Sequence, residues 1–408
     1  MKRSLFLAAV VLVCTGCFAQ KANVRRAETL ISAEAPDFKG ARAVIAEALQ
    51  NDETKGQAKT WFVAGLIGYT QNQTEYVKLQ EGKGGQDYVL RGAAVYESYN
   101  YWLKADEIAM TPVYNKKGKA KVDTRTRKQI ADKMVEYFEH RELINYAYDL
   151  LDKQEYAKAY DMFKAYLALP DLEMMQDKRY QERMPKDTLY ELFQFQSALT
   201  AYNATMYQEA ANVFRALVDK NVKAVASAQF LYQSYINMQD SVTANQVLDE
   251  CIERFPTEAW FVQNRINNLV NAGQMEEAIT YLDRAIATDP QIQYYLLKAS
   301  ILDVQQRFDE AIATYEEALK RDDNNADVYY NYGVVFVDKA NKMNDDAAYL
   351  DAKAYKAARK NIDETLKQAL PYFKKAYEMD GENFTYKRQL RALYYRLGMT
   401  NEYNALSD

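Results

Sequence analysis

A small side chain followed four residues later by a large apolar one recurs along most of this chain. The pairs are Ala41/Ile45, Ala159/Phe163, Ala210/Phe214, Ala244/Leu248, Ala278/Leu282, Ala311/Tyr315 and Ala369/Phe373. Four residues is slightly more than one helical turn, so each pair shares a helix face. The small residue admits a neighbouring helix and the large one fills the space beside it. Each pair sits in an eleven-residue block such as "FDEAIATYEEA" (308–318) or "YQEAANVFRAL" (207–217). Upstream of these blocks lies a second apolar stripe. In "AWFVQNRINNLVNAGQ" (259–274), Val262, Ile266 and Leu269 fall on one face and Gly273 stands where a helix closes. Gly333 with Tyr329, Tyr332 and Phe336, and Gly65 with Trp61, occupy comparable stretches. The recurring unit is therefore a hairpin of two helices. Only 14 Gly and 7 Pro in 408 residues leave little to interrupt them.

The spacing is regular in the middle and stretched at both ends. Ala210, Ala244, Ala278 and Ala311 are 34, 34 and 33 residues apart. Phe255-Pro256 and Asp289-Pro290 repeat the 34-residue step at places where a helix must stop. One more unit is expected at Ser98, Trp102 and Ala105. The remaining intervals of 57, 61, 51 and 58 residues imply insertions at 71–90, 111–128, 171–187 and 341–368. The second is basic and loop-like. The last reads as helix, with Ala358, Ile362 and Leu366 in step, and continuous helix from Asp346 to Met379 would measure about 50 Å. Pro371 predicts a kink near Lys367–Leu370. The insertions read either as binding loops on one face or as extensions that lengthen the stack.

A helical hairpin every 34 residues with these small and aromatic placements resembles the tetratricopeptide repeat (TPR) family. The expected fold is all-α, a right-handed α-solenoid of tetratricopeptide-like hairpins with insertions. Residues 20–190 read as degenerate repeats and 191–325 as a regular array. Residues 326–398 read as a further repeat with the 341–368 insertion and a C-terminal capping helix, followed by a tail at 399–408. The leader and the C-terminal layout also resemble exported repeat proteins of the Bacteroidetes.

The chain opens "MKRSLFLAAVVLVCTGCFAQ", a basic start and a short apolar run that read as an export signal over 1–19 with cleavage after Ala19. Thr15-Gly16-Cys17 also resembles the end of a lipobox, which would leave Cys17 lipidated, although Cys14 stands where that motif has Leu. Both routes lead out of the cytoplasm, to the periplasm or to an outer-membrane lipoprotein. Loss of Lys2 and Arg3 takes the formal charge from −5 to −7 and leaves Cys251 alone, so no disulfide framework forms. An acidic chain without a basic stripe argues against nucleic acid, and no later apolar run is long enough to span a bilayer.

A search for chemistry finds little. His140 is the only histidine and reads as a surface or helix-start residue, which rules out a two-His metal site and His-dependent triads. Gly82-Lys83-Gly84-Gly85 lacks the Ser or Thr and the upstream Gly of a phosphate loop. "DDNN" (322–325) and "NDDAAYLD" (344–351) lack the acidic ladder of a calcium loop. No enzyme and no cofactor is expected.

One polar pattern stands out. Gln229, Gln233 and Asn237 lie four apart, and Gln263, Asn267 and Asn271 follow 34 residues on, clear of the apolar stripe. The resemblance implies that first helices line a concave groove. Amides there both donate and accept, as an extended peptide backbone requires. A clamp for C-terminal carboxylates would need Lys and Arg at these places, which hold Gln, Asn and Leu. The reading is a non-enzymatic exported scaffold that binds a protein or extended peptide. The alternative is a surface glycan-binding lipoprotein, for which Trp61, Trp102 and Trp260 would have to be exposed platforms, although each stands at a packing position.

Overall fold

The computed structural model describes residues 21–406, so the export signal and Cys17 lie outside the described residues. The chain divides into two compact units, one ending at Ala244 and one beginning at Asn245. That division falls within the stretch read as one regular array.

The first unit starts with α1 (residues 21–31), α2 (Phe38–Gln50), α3 (Ala58–Gln80) and α4 (Tyr88–Met110). A small ladder of β1 (Val113–Tyr114) and β2 (Ala120–Lys121) precedes α5 (Thr124–His140), α6 (Glu142–Asp152) and α7 (Tyr156–Ala168). Then come the one-turn α8 (Lys178–Gln181), α9 (Thr188–Asn203), α10 (Tyr207–Asp219) and α11 (Ala224–Asn237). Helix α12 (Ser241–Arg254) carries the division between the units. The second unit continues with α13 (Ala259–Asn271), α14 (Met275–Thr288), α15 (Ile292–Val304) and α16 (Phe308–Arg321). It closes with α17 (Ala326–Ala347), α18 (Ala352–Met379), α19 (Phe384–Arg396) and α20 (Thr400–Ala405). The fold is all-α and built of helical hairpins, as the repeat pattern requires. The antiparallel pairs Val113–Lys121 and Tyr114–Ala120 are the only strand residues among those described.

The paired positions do what their spacing demands. Ala41, Ser98, Ala159, Ala210, Ala244, Ala278, Ala311 and Ala369 are all completely buried. Their partners four residues on, from Ile45 and Trp102 to Phe373, are at most 2% exposed. Where the first helix must come closest, glycine faces the large partner. A Cβ on Gly65 would stand 2.3 Å from the Trp102 ring, and one on Gly333 would stand 2.7 Å from the Phe373 ring.

The turn inside each short hairpin has one recurring form. The amide just before the second helix donates back five residues, as in Met206→Ala201 O, Asp240→Tyr235 O, Gln274→Leu269 O and Arg307→Leu302 O, each 2.9 Å. This closure needs a left-handed residue immediately before it. Thr205 (φ 60°), Gln239 (φ 61°), Gly273 (φ 75°) and Gln306 (φ 59°) supply it at steps of 34, 34 and 33 residues. Three of these four turns use no side-chain cap, and the one before α12 adds one, Asp240 accepting from the Thr243 amide at 3.0 Å. Helices that follow insertions are capped in the same way, with Asp87, Asp123, Asp187 and Asp351 each accepting first-turn amides.

The insertions are more ordered than loops. Residues 71–80 extend α3, and the 111–128 segment read as loop is the β-hairpin followed by the start of α5. The 171–187 segment tucks Met174, Met175, Tyr180 and Met184 into the core. Residues 341–368 lengthen both helices of one hairpin, but the continuous rod from Asp346 does not form. Helix α17 stops at Ala347 and Asp351 starts α18 by accepting from the Lys353 and Ala354 amides, both at 2.9 Å. The 28 residues of α18 measure about 42 Å. Pro371 lies exposed inside α18, which continues as helix to Met379. Past α19, residues 400–405 of the expected tail form α20.

Candidate functional site

The amide row on α13 occupies the face opposite its apolar stripe. Gln263, Asn267 and Asn271 are exposed, while Val262, Ile266 and Leu269 are buried. The row on α11 is less open. Gln229 and Gln233 are half-buried, and the exposed Asn237 donates to the Tyr202 hydroxyl at 2.9 Å.

In the second unit, Gln263 also forms one wall of a cleft of about 280 Å³. Gln293, Leu296, Leu297 and Ser300 of α15 form its floor, Asn331 of α17 its far wall, and Ala259, Tyr294 and Tyr315 complete it. Gln263, Leu297 and Asn331 are 34 residues apart, so the cleft follows one register position through three successive first helices. Its lining contains no charged side chain. Amides and a serine hydroxyl surround a leucine pair, which suits a neutral ligand with one apolar group and several backbone-like donors and acceptors. The Gln293 amide donates to Gln291, and the Tyr294 hydroxyl is buried without a hydrogen-bond partner. Burial, followed by the nearby Asp289 charge, pushes that phenol up from its ordinary value, so it stays neutral. Asn267 and Asn271 do not reach the cleft lining; they continue the exposed strip along α13.

The sequences carry the family assignment alongside this geometry. Residues 235–301 match the family described as tetratricopeptide repeat, and residues 304–339 match one described as TPR repeat. Residues 235–301 and 304–339 carry tetratricopeptide repeats. No curated protein sequence matches it. Similar solved structures include a TPR-repeat protein from Bacteroides fragilis NCTC 9343, with 18% identity, 63% of this chain and 98% of that one covered, and a TM-score of 0.34. YrrB, a TPR protein with an unusual peptide-binding site, is 16% identical over 52% of this chain and 95% of its own, with a TM-score of 0.32. MamA from Desulfovibrio magneticus RS-1, from residue 41 to its end, is 16% identical over 44% of this chain and 86% of its own, with a TM-score of 0.31.

Beyond the cleft, ionisable groups are partly or fully buried in two places. In the second unit, Asp303 of α15 and Asp338 of α17 are both half-buried, and one Asp303 oxygen is buried without a partner. Burial first, then Asp338, pushes the Asp303 carboxyl up to about 6. Burial also raises Asp338, against hydrogen bonds from Asp303 and Asn341 and the charge of Arg396. Two carboxyl groups in one partly desolvated site cannot both ionise cheaply. In the first unit, Arg91 and Glu142 form a fully buried ion pair, and Arg91 also donates to Gly85 O at 3.0 Å. His140 ends α5 rather than starting a helix, and stacks on Tyr76 at 4.2 Å. Burial lowers its basicity, with Glu136 and Glu139 opposing. Among the described residues no group of three or more His, Cys, Asp or Glu side chains could hold a metal.

The tryptophans are packing residues. Trp102 is fully buried and its indole donates to Phe62 O at 3.0 Å; Trp61 is half-buried and donates to Lys55 O at 2.7 Å. Trp260 is half-buried against Phe261. Trp102 is closed to solvent, and Trp61 and Trp260 are each partly covered. No helix among the described residues is long and apolar enough to cross a membrane.

Proposed function

We propose that this chain is a non-enzymatic exported scaffold that holds an extended peptide along the first helices of its second unit. The uncharged cleft between Gln263, Leu297 and Asn331 is the observation that carries this reading. An apolar side chain of the peptide sits on Leu296 and Leu297. Gln263, Gln293, Ser300 and Asn331 pair with its backbone, and Asn267 and Asn271 extend the polar strip along α13. The row Gln229, Gln233 and Asn237 on α11 provides a similar, partly engaged strip in the first unit. Each amide–backbone bond contributes about 1 kcal/mol net, so affinity rises with the number of registered bonds. Localisation to the periplasm follows from the export signal over 1–19, and lipidation at Cys17 would place the same scaffold on a membrane surface.

A photoreactive amino acid placed at Ser300 tests the site directly. Crosslinking in an envelope extract, compared with the same group at exposed Thr280 on the second helix α14, identifies the bound segment by mass spectrometry. The expected outcome is one or a few discrete peptides captured at Ser300 alone. Indistinguishable capture at both positions would remove the cleft as the binding site.

A further inference from the structure

The 111–128 segment holds seven Lys and Arg and a single acidic residue, Asp123, in a chain whose net charge is −5. Only Arg127 is neutralised, by Asp106 at 2.7 Å and Glu173 at 3.2 Å. Lys116, Lys117, Lys119, Lys121, Arg125 and Lys128 are exposed and form no salt bridge among the described residues. Asp123 caps α5 by accepting from the Thr126 amide and hydroxyl at 3.1 and 2.6 Å, and its single negative charge, nearest Arg125, offsets only one of these cations. Such concentrated, unpaired positive charge is costly in isolation and complements an acidic partner.

The charge also sits on a shaped surface. Val113 and Tyr114 of β1 are 71% and 68% exposed. Beside them opens a cleft of about 640 Å³, with Ile108, Ala109 and Val122 as its aliphatic wall, and Lys121 and Arg125 outnumbering the one acidic lining residue, Asp123. The β1–β2 ladder has two strands, so each strand presents one unpaired backbone edge, the arrangement that accepts an added extended segment.

We propose that this hairpin and its cleft dock an extended acidic polypeptide segment, with apolar side chains on the Ile108–Val122 wall and carboxylates on Lys121 and Arg125. The alternation of side chains along a strand provides both faces at once. The cleft is what favours a polypeptide over other anions. A bilayer surface would meet the Lys116–Lys119 tip and leave the cleft unused, and a nucleic acid has no aliphatic side chains for its wall. This surface lies in the first unit and is independent of the Gln263–Asn331 cleft.

The test uses the full chain and a fluorescein-labelled synthetic peptide alternating glutamate and valine, followed by anisotropy. Saturable binding that weakens with added salt is expected. The same peptide with glutamine for glutamate, and the K121E/R125E double variant with the original peptide, are each expected to bind about tenfold more weakly or worse. A K116Q/K117Q/K119Q variant should lose only about twofold to threefold, since these tip lysines act at longer range. Helical circular dichroism and melting curves establish folding of each variant. If K121E/R125E does not fold, the glutamate–glutamine comparison on the unaltered chain decides. Absence of saturable binding, equal affinity for both peptides, or unchanged affinity in folded K121E/R125E would overturn the proposal. So would tighter binding of a single-stranded oligonucleotide, or of phosphatidylglycerol vesicles, than of the acidic peptide.

Discussion

The α3–α4 and α17–α18 hairpins lengthen the same repeat in different ways. Both place a glycine against the large partner ring, Gly65 on Trp102 and Gly333 on Phe373. Beyond that shared seam they diverge. The α3–α4 extension is locked into its unit. Gln73 donates to Glu136 at 2.7 Å, Tyr76 stacks on His140, and Gly85 O accepts from Arg91, which reaches across to Glu142 of α6. The α17–α18 extension is held chiefly by its own two helices, with Met343 and Ala347 of one near Ile362 and Thr365 of the other. Its tip is bare: Tyr349 is 93% exposed, and the nearby ion pairs Lys342–Asp346 and Arg359–Asp363 are on the surface. An insertion that buries charge and aromatics against its neighbours becomes part of the core, whereas one that pairs only with itself remains an appendage.

That contrast is open to a graded series of tests. The largest effect is expected at the buried ion pair. Arg91→Met should destabilise the first unit by about 3–5 kcal/mol by stranding Glu142, and adding Glu142→Leu should recover most of the loss. Chemical denaturation of the two variants checks this, and an equal loss in both would deny the pair its role. Next come the glycine seams. Gly65→Ala and Gly333→Ala should each cost about 1–3 kcal/mol through overpacking, with Gly65 the worse because its ring is fixed by a hydrogen bond to Phe62 O.

A pH effect follows in size and belongs to Asp303 of α15, which faces Asp338 of α17. Asp303 is raised in the folded chain to about 6 from an ordinary 3.8, so the folded state holds its proton more tightly than the unfolded state. Its contribution is therefore fully present below about pH 4 and is lost as pH rises through about 6. Asp303→Asn, which mimics the neutral form, should melt higher than the unaltered chain at pH 7 and match it near pH 4. A constant difference at both values would contradict the assignment. The smallest effect is expected at the bare tip, where Tyr349→Ser should change stability by no more than about 0.5 kcal/mol.

Much of this was legible in the sequence, and its failures are instructive. The small–large pairs were readable because packing between hairpins imposes one period on every repeat, and all eight small residues are buried. The exposure of Gln263, Asn267 and Asn271 was readable because they avoid the apolar stripe of α13. Leu297 and Asn331 share Gln263's register at 34-residue steps, but a leucine between two amides does not stand out as part of a polar row. The stop at Ala347 was missed because Ala358, Ile362 and Leu366 keep a helical period, which does not show where a helix begins. Asp351 was the overlooked signal. The β-hairpin at 113–121 was hidden by its lysines, which mimic a solvated loop while Val113 and Tyr114 pair through their backbones.

The central claim is that an uncharged strip of first-helix side chains holds a peptide. It is tested most directly by calorimetric titration of the segment captured at Ser300 into the unaltered chain and into Gln263→Ala/Gln293→Ala/Asn331→Ala. Loss of at least about tenfold in affinity, with the melting temperature preserved, is the predicted result. Unchanged affinity in the folded triple variant would contradict it.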